Sequence, residues 1–178
     1  MRIETPRLLL REFAADDWPA VLAYQQHPAY LRYYPWETRA EDDARRFIQM
    51  FIDQQSASPR RDFQLVIALK ETGTLIGNCG LRRAGDNEWE GAIGYELAPS
   101  HWGRGFATEA ARAMVDFGFG QLGLHRISSW CIADNAASAR VLERVGMRLE
   151  GRLRENAHFK GRRWDTLLFG MLGNEWRP

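Results

Sequence analysis

Apolar residues recur at three- and four-residue intervals in four segments of the chain, and this spacing predicts four helices that each bury one face. In the clearest of them, Phe47, Ile48 and Phe51 align on one side. Small residues occupy the apolar side of the third, which would let that helix pack closely on a sheet. The four helices are expected to begin next to Asp17, after the capping-box pattern Thr38–Glu41, at Phe106 and after the N-cap residue Asn135.

Runs of alternating or continuous apolar residues predict seven strands between and beyond these helices. The turn residues Glu71–Gly73 and Gly85–Asn87 separate three of the runs, so those three strands should form an antiparallel meander. One strand–helix–strand unit follows, which requires a parallel pair and makes the sheet mixed. The predicted strands are Arg7–Phe13, Phe63–Leu69, Thr74–Leu81, Glu88–Ala98, Ile127–Ala133, Arg148–Ala157 and Trp164–Leu172.

The expected architecture is an α/β (α+β) fold, in which a mixed, mostly antiparallel sheet of seven strands is flanked by about four helices. With 178 residues, 45% of them hydrophobic and 26% charged, the chain has the length and composition of one globular domain. The sequence shows no internal repeat or linker, so residues 1–178 are expected to form a single domain.

Charge and residue usage narrow the possible partners. Lys and Arg number 24 against 23 Asp and Glu, so the chain has no general electrostatic attraction for nucleic acid. No apolar run approaches the ~20 residues of a membrane span, and the first residues do not resemble a signal peptide. Cys79 and Cys131 fit reduced, buried thiols, and the four His have no metal-ligand spacing. We expect a cytoplasmic protein without nucleic-acid, membrane or metal partners.

A glycine-rich loop within His101–Ala110 lies between a predicted strand and a predicted helix. Gly103 and Gly105 would let successive backbone N–H groups point at an anion, and the helix N-terminus would add favourable partial charge. The same two glycines could equally make an ordinary strand-to-helix turn. A P-loop would need Lys followed by Ser or Thr, and a dinucleotide-binding fingerprint would need a third glycine, and the loop has neither.

Two neighbouring segments, Ile93–Leu97 and Trp102–Ala110, resemble the coenzyme A motif of GNAT acetyltransferases. The opening Thr5–Arg11 and the segment Asn135–Met147 resemble the RimJ/RimL branch, so the likeness covers nearly the whole chain. The general family loop begins with Gln or Arg where this chain has Trp102, a departure common in that branch. The resemblance implies the GNAT fold, acetyl-coenzyme A (acetyl-CoA) as cofactor and transfer of acetyl to a primary amine. The sequence contains no nucleophile pattern for an acyl-enzyme, so direct attack on the thioester is expected.

The resemblance also gives roles to individual residues. Ser138 would lie near the thioester sulfur and assist the leaving thiolate, and Asn135 would contact the cofactor arm, although helix capping already accounts for Asn135. Arg104 could equally be a solvated surface residue. Loop backbone groups should bind the pyrophosphate, and the preceding strand end should pair with the pantetheine amides. The expected cofactor-binding residues are Leu97, Ala98, Gly103, Arg104, Gly105, Phe106, Ala107, Thr108, Asn135 and Ser138.

Acetyl transfer needs a group that accepts a proton from the protonated amine, and a carboxylate is the expected acceptor. RimJ/RimL-like sequences often carry Glu immediately before the Ile-Gly-Tyr segment, where this chain has Ala92. Glu90 is the first candidate and Glu96 the second, both on the strand face of Ala92 and both acting through water. Each could instead be a solvated strand carboxylate, and Glu155 is a further possibility.

The loop after the first helix contains Tyr33, Tyr34 and Trp36, which by the resemblance would cover the acceptor side of the site. Their rings could bind an aliphatic or cationic group, or could form a hydrophobic plug between two helices. The RimJ/RimL likeness implies an α-amino group of a protein or peptide N-terminus, or of an amino-acid-like small molecule. A polyamine or aminoglycoside acceptor stays open, as does an acyl-CoA-binding protein whose catalysis is impaired by Ala92. We expect a monomer or homodimer.

Overall fold

One mixed sheet runs through the computed structural model, which describes residues 1–83 and 88–177. Its strands are β1 Arg2–Glu4, β2 Leu8–Arg11, β3 Asp62–Leu69, β4 Leu75–Arg83, β5 Glu90–Leu97, β6 Arg126–Ile132, β7 Arg148–Phe159 and β8 Arg162–Leu172. Their order across the sheet is β1-β2-β3-β4-β5-β6-β8-β7. The pair β5–β6 is parallel and the other neighbouring pairs are antiparallel.

Helices cover both faces of this sheet. They are α1 Trp18–Gln25, α2 Pro28–Leu31, α3 Glu41–Gln55, α4 Phe106–Gly120 and α5 Ala136–Val145. α4 and α5 share one apolar core with the sheet, and α1 and α3 share a second core on the other face. A Cβ on Gly118 would lie 2.8 Å from side-chain atoms of Leu81 and of Ile127, so glycine allows α4 to approach the strands closely. None of the helices among the described residues has the length and apolar character of a membrane span.

The predicted fold class and the mixed, mostly antiparallel sheet are confirmed, with one strand and one helix more than expected among the described residues. The additional strand is β1, in which only Ile3 is partly buried, so its pattern contains too little apolar signal to predict a strand. The additional helix is α2, a single turn that begins at Pro28. The predicted turn Gly85–Asn87 lies outside the described residues.

The start of α3 also differs from the prediction. Ala40 is the N-cap, so the helix begins later than the capping pattern from Thr38 indicates. The reason is that the Asp43 carboxylate, and not Glu41, accepts a hydrogen bond of 2.9 Å from the N–H of the N-cap residue. This correction moves the end of the loop that contains Tyr33, Tyr34 and Trp36.

β5 and β6 pair over only part of their length. Their register joins Glu90–Ala92 to Arg126–Ser128, and beyond these residues the two strands separate. Each strand keeps its other partner, because β5 stays paired with β4 and β6 with β8. At the point of separation, Ser129 Oγ donates a hydrogen bond of 2.9 Å to the Ile93 carbonyl. The result is a wedge between two strand edges, and the candidate site lies in it.

Candidate active site

A cleft of about 500 Å³, named the helix cleft, lies where the N-terminal ends of α4 and α5 meet the open edge of β5. Its lining includes Tyr95–Leu97 from β5, Gly103 and Gly105 from the loop before α4, and Asn135–Ser138 from the start of α5. The segments that carry the two sequence motifs are therefore brought together around one opening.

The two loop glycines have left-handed backbone conformations, with φ of +74° at Gly103 and +82° at Gly105. Residues with a Cβ rarely adopt such φ values. A Cβ on Gly103 would meet no atom within 4 Å, so glycine is needed there for conformation, while the space above it stays open. Phe106–Thr108 line the helix cleft, and N–H groups in the first turn of a helix have no acceptor within it. This arrangement is suited to binding an anion such as a phosphate.

The N-terminal segment holds this loop in place through Glu109, in the first turn of α4. The Glu109 carboxylate accepts hydrogen bonds of 2.6 Å from the Thr5 hydroxyl, 2.9 Å from the Arg7 backbone N–H and 2.7 Å from Arg7 Nε. Arg7 Nη1 donates to the Arg104 carbonyl at 3.1 Å, and the guanidinium lies over the Phe106 ring. Burial alone would raise the pKa of Glu109, but these hydrogen bonds and the charge of Arg7 outweigh it and lower that pKa.

The peptide groups at the end of β5, predicted to bind pantetheine, already have partners within the chain. The Leu97 carbonyl accepts a hydrogen bond of 2.7 Å from Trp102 Nε1, and the Ala98 N–H donates one of 2.7 Å to the Ile76 carbonyl. Leu97 lines the helix cleft, whereas Ala98 does not. The edge that β5 presents to the wedge lies earlier, at Gly94–Glu96, where β6 has already separated from it.

Positive side chains line the helix cleft from α5 and not from the glycine loop. Arg140 and Arg144, one helical turn apart, line it together with Arg32. Arg104 is exposed, and its guanidinium lies over the Phe106 ring, 4.9 Å from the centroid. Sequence analysis missed the two α5 arginines, although their four-residue spacing on a helix next to the motif could have indicated them.

Asn135 and Ser138 lie at the start of α5. The Asn135 side chain accepts a hydrogen bond of 3.1 Å from the Ser138 N–H, which is an N-cap. The Tyr95 hydroxyl lies 2.9 Å from Ser138 Oγ and 3.0 Å from the Ser138 carbonyl oxygen. Burial raises the pKa of Tyr95, so this hydroxyl keeps its proton. Sequence analysis missed Tyr95, because a tyrosine within an apolar strand is usually a core residue.

A second cavity of about 300 Å³, named the sheet cavity, opens on the sheet face that carries α1 and α3. Its lining comes mainly from β4, β5, β6 and the loop after α2, with single residues from β3 and α3 and two from the start of α5. Among the described residues, the charged ones that line it are Glu96 and Arg82. The helix cleft and the sheet cavity meet through the wedge, because both are lined by Tyr33, Tyr34, Tyr95, Glu96, Asn135 and Ser138.

Glu96 is held at this junction by buried polar groups. Its Oε2 accepts hydrogen bonds of 3.1 Å from the Tyr24 hydroxyl, 3.2 Å from Gln25 Nε2 and 3.1 Å from Asn78 Nδ2. Burial, and after it the negative charge of Glu96, raise the pKa of Tyr24 and likewise that of Tyr34. The carboxylate is therefore oriented through one oxygen, in contact with both cavities.

Glu90 lies in different surroundings. It lines neither cavity and forms an ion pair of 3.1 Å with Arg126, which also binds Glu150. Ala92, two residues further along the same strand face, does line the sheet cavity. Glu155, the further possibility, is exposed on β7. The structure thus brings Glu96 together with Ser138 and keeps Glu90 apart from them.

The aromatic loop divides between the site and the core. Tyr33 and Tyr34 line both cavities, and the Tyr33 hydroxyl donates a hydrogen bond of 2.9 Å to the Asp134 carbonyl across the opening. Trp36 lines neither cavity. It stacks on Tyr34 with ring centroids 4.8 Å apart, and Arg39 lies 4.9 Å from its ring centroid. Trp36 therefore occupies the hydrophobic-plug position that the sequence left open.

Comparison with known proteins shows that this chain is similar to acetyltransferases in sequence and in fold. The family described as "Acetyltransferase (GNAT) domain" matches residues 7–148. The N-acetyltransferase YnaD of Bacillus subtilis, described as uncharacterized, is 32% identical over 177 residues, which are 99% of each protein. A GNAT-family acetyltransferase from Bacillus anthracis has a TM-score of 0.86 at 29% identity, covering 98% of this chain and 99% of that chain. RimL, a ribosomal L7/L12 α-N-protein acetyltransferase in complex with coenzyme A, shares the fold, with a TM-score of 0.83, 20% identity and coverage of 97% and 98%.

Proposed function

Because the chain belongs to the GNAT acetyltransferase family and is an acetyl-CoA-dependent N-acetyltransferase, we propose that its acceptor is the α-amino group of a peptide, a protein N-terminus or an amino-acid-like molecule. The observation that carries this proposal is the sheet cavity, a small space that Glu96, Tyr33 and Tyr34 all line. A space of about 300 Å³ suits a compact amine. The proposed branch is RimJ/RimL-like, supported by the contact that Arg7 makes with the loop and by the hydrogen bond that Trp102 makes with the end of β5.

The residues of the helix cleft fit coenzyme A. The loop of Gly103 and Gly105 offers helix N–H groups to a pyrophosphate, and Arg140 and Arg144 add positive charge for the phosphates. The open edge of β5 at Gly94–Glu96 offers peptide groups to the amides of the cofactor arm. When bound, acetyl-CoA supplies a thioester: the amine nitrogen bonds to its carbonyl carbon, the C–S bond breaks and the thiol leaves.

We propose that Glu96 accepts the proton that the acceptor must lose. A primary amine is mostly protonated at neutral pH, and the resulting ammonium group cannot attack until it has lost a proton. Glu96 lines both cavities, and Tyr24, Gln25 and Asn78 donate to its Oε2, so its carboxylate is oriented to accept the proton directly or through a water molecule. Glu90 forms an ion pair with Arg126 and lines neither cavity, so it does not reach the acceptor amine.

Ser138 is the proposed proton donor to the departing sulfur. Its Oγ lies 2.9 Å from the Tyr95 hydroxyl, which stays neutral because burial raises the Tyr95 pKa, so Tyr95 orients Ser138 by hydrogen bonding, and the proton that Ser138 gives to sulfur is replaced by one from the acceptor nitrogen. The acceptor ammonium loses two protons in all: one reaches solvent through Glu96, and the other balances the proton given to sulfur. Cys131 also lines the sheet cavity, but burial raises the pKa of its thiol, which favours direct transfer over an acyl-cysteine.

The test measures coenzyme A thiol release with three classes of acceptor. These are a short peptide with a free N-terminus, the same peptide with that terminus blocked and a free Lys, and a set of polyamines and aminoglycosides. We expect acetylation of the first, located at the α-nitrogen by mass spectrometry. Acetylation confined to the blocked peptide or to the other amines would overturn the α-amine assignment. An enzyme that acetyl-CoA stabilises but that acetylates none of these would point to impaired catalysis.

A further inference from the structure

Arg82 is the cation that lines the sheet cavity among the described residues, and the reaction described above does not use it. It lies on β4 directly opposite Ala92 of β5, on the strand face that also carries Glu96. Its Nη2 atom is 3.5 Å from Gln64 Oε1 and 3.9 Å from the point that a Cβ would occupy on Gly94. The guanidinium therefore lies over β5, between Ala92 and Glu96.

The guanidinium of Arg82 is largely uncommitted. No carboxylate of the described residues forms an ion pair with it. Its contact with Gln64 is at the long limit for a hydrogen bond and uses one of the five N–H donors of an arginine. Beneath it, Ala92 and Gly94 have almost no side chain, so the space in front of the donors stays open. Arg82 is exposed, and its remaining donors are available to a molecule in the cavity.

Arg82 and Glu96 are placed to bind opposite ends of one small molecule. Gly94, beneath the guanidinium, and Glu96 are two residues apart on β5, so their Cα positions lie roughly 7 Å apart along the strand at about 3.3 Å per residue. Both side chains line the same small cavity, so one molecule whose amine and anion are a few bonds apart can form charge-assisted hydrogen bonds with both of them. The orientation of the bound acceptor is fixed, because its amine must lie at the Glu96 end, beside the wedge and Ser138.

We propose that Arg82 forms an anion subsite and that the preferred acceptor carries a carboxylate or phosphate a few bonds from the amine that is acetylated. A guanidinium binds both groups through paired N–H donors, so the two anions share one chemistry. The inference rests on the proposed function and narrows its acceptor class. It excludes polyamines, whose second charge is positive, from the preferred acceptors.

The experiment compares acceptors matched in shape but not in charge. The pairs are a free amino acid and its carboxamide, a peptide beginning with Asp and one beginning with Asn, and O-phosphoethanolamine and ethanolamine. Each pair is assayed with wild type, Arg82→Gln, Arg82→Lys and the control Arg46→Gln, which changes an arginine on α3 whose side chain is 71% exposed.

In wild type, the anionic member of at least one pair should have a kcat/KM about tenfold or more above its neutral partner, and that pair identifies the anion. Arg82→Gln should remove this preference mainly through KM, with little change for the neutral partner, and Arg82→Lys should retain part of it. Arg46→Gln should behave as wild type. Equal use of both members, or an equal loss for both in Arg82→Gln, would overturn the subsite but not the α-amine assignment. Acetylation of none of these amines would overturn both proposals.

Discussion

Replacement of Glu96 by glutamine is expected to remove the proton acceptor while keeping the shape of the side chain. The amide oxygen can occupy the place of Oε2 and still accept from the Tyr24 hydroxyl and from Asn78 Nδ2. Proton transfer by a positioned side chain contributes about 10²- to 10⁴-fold to a rate, so kcat should fall by at least about 100-fold. The KM for acetyl-CoA should change little, because the change is at the acceptor end of the wedge.

The same variant should remain folded. Three hydrogen bonds to a charged oxygen become neutral ones, which weakens each by roughly 1 kcal/mol, and the loss is partly offset because a partly buried charge is removed. The free energy of unfolding should therefore fall by about 1–3 kcal/mol, out of the 5–15 kcal/mol typical of a domain. An acetyl-CoA-induced rise in melting temperature equal to that of wild type would verify that the helix cleft is intact.

The assay is coenzyme A release as a function of pH, with Glu90→Gln measured alongside. In Glu96→Gln the release rate should be low at every pH at which wild type is active. Glu90→Gln loses a partly exposed ion pair with Arg126 and should keep a kcat close to that of wild type. Our reasoning is refuted if Glu96→Gln retains kcat within about threefold of wild type with an unchanged profile, or if Glu90→Gln is the variant that loses activity.

Three further predictions concern the glycine loop, the Glu109 carboxylate that holds it, and the start of α5. Gly105→Ala should abolish the stabilisation by acetyl-CoA, whereas Gly123→Ala, at a similar φ of +63° outside both cavities, should lose comparable stability, about 1 kcal/mol, and keep the acetyl-CoA effect in thermal melts. Because the pKa of Glu109 is lowered in the folded state, its contribution to stability is present above the unfolded pKa and is lost as pH falls through the folded pKa. Glu109→Gln should therefore be less stable than wild type at pH 7, with the difference shrinking in acid denaturation. Ser138→Ala should lower kcat more than it weakens acetyl-CoA binding, and an unchanged kcat would remove Ser138 from the mechanism.

The parts of the fold and of the site that depend on local pattern could be predicted from the sequence. Glycine at a positive φ before α4 and asparagine as the N-cap of α5 follow from residue type and position alone. The choice between Glu90 and Glu96 could not be predicted, because strand alternation puts both on one face. What separates them is tertiary: Glu96 meets donors from α1 and β4, whereas Glu90 meets Arg126 on the neighbouring strand. Three-dimensional contact, and not spacing along the chain, distinguishes the two carboxylates.

The separation of β5 from β6 also explains how adjacent residues can have opposite roles. Tyr95 and Glu96 follow each other on β5, so their side chains point to opposite faces of the sheet. Tyr95 contacts Ser138 on the side of α5, and Glu96 contacts Gln25 on the side of α1. The proposed base Glu96 and the Tyr95 hydroxyl beside Ser138 therefore approach the wedge from opposite faces of the sheet. A shift of β5 by one residue would exchange their faces and so separate Tyr95 from Ser138 and Glu96 from Gln25.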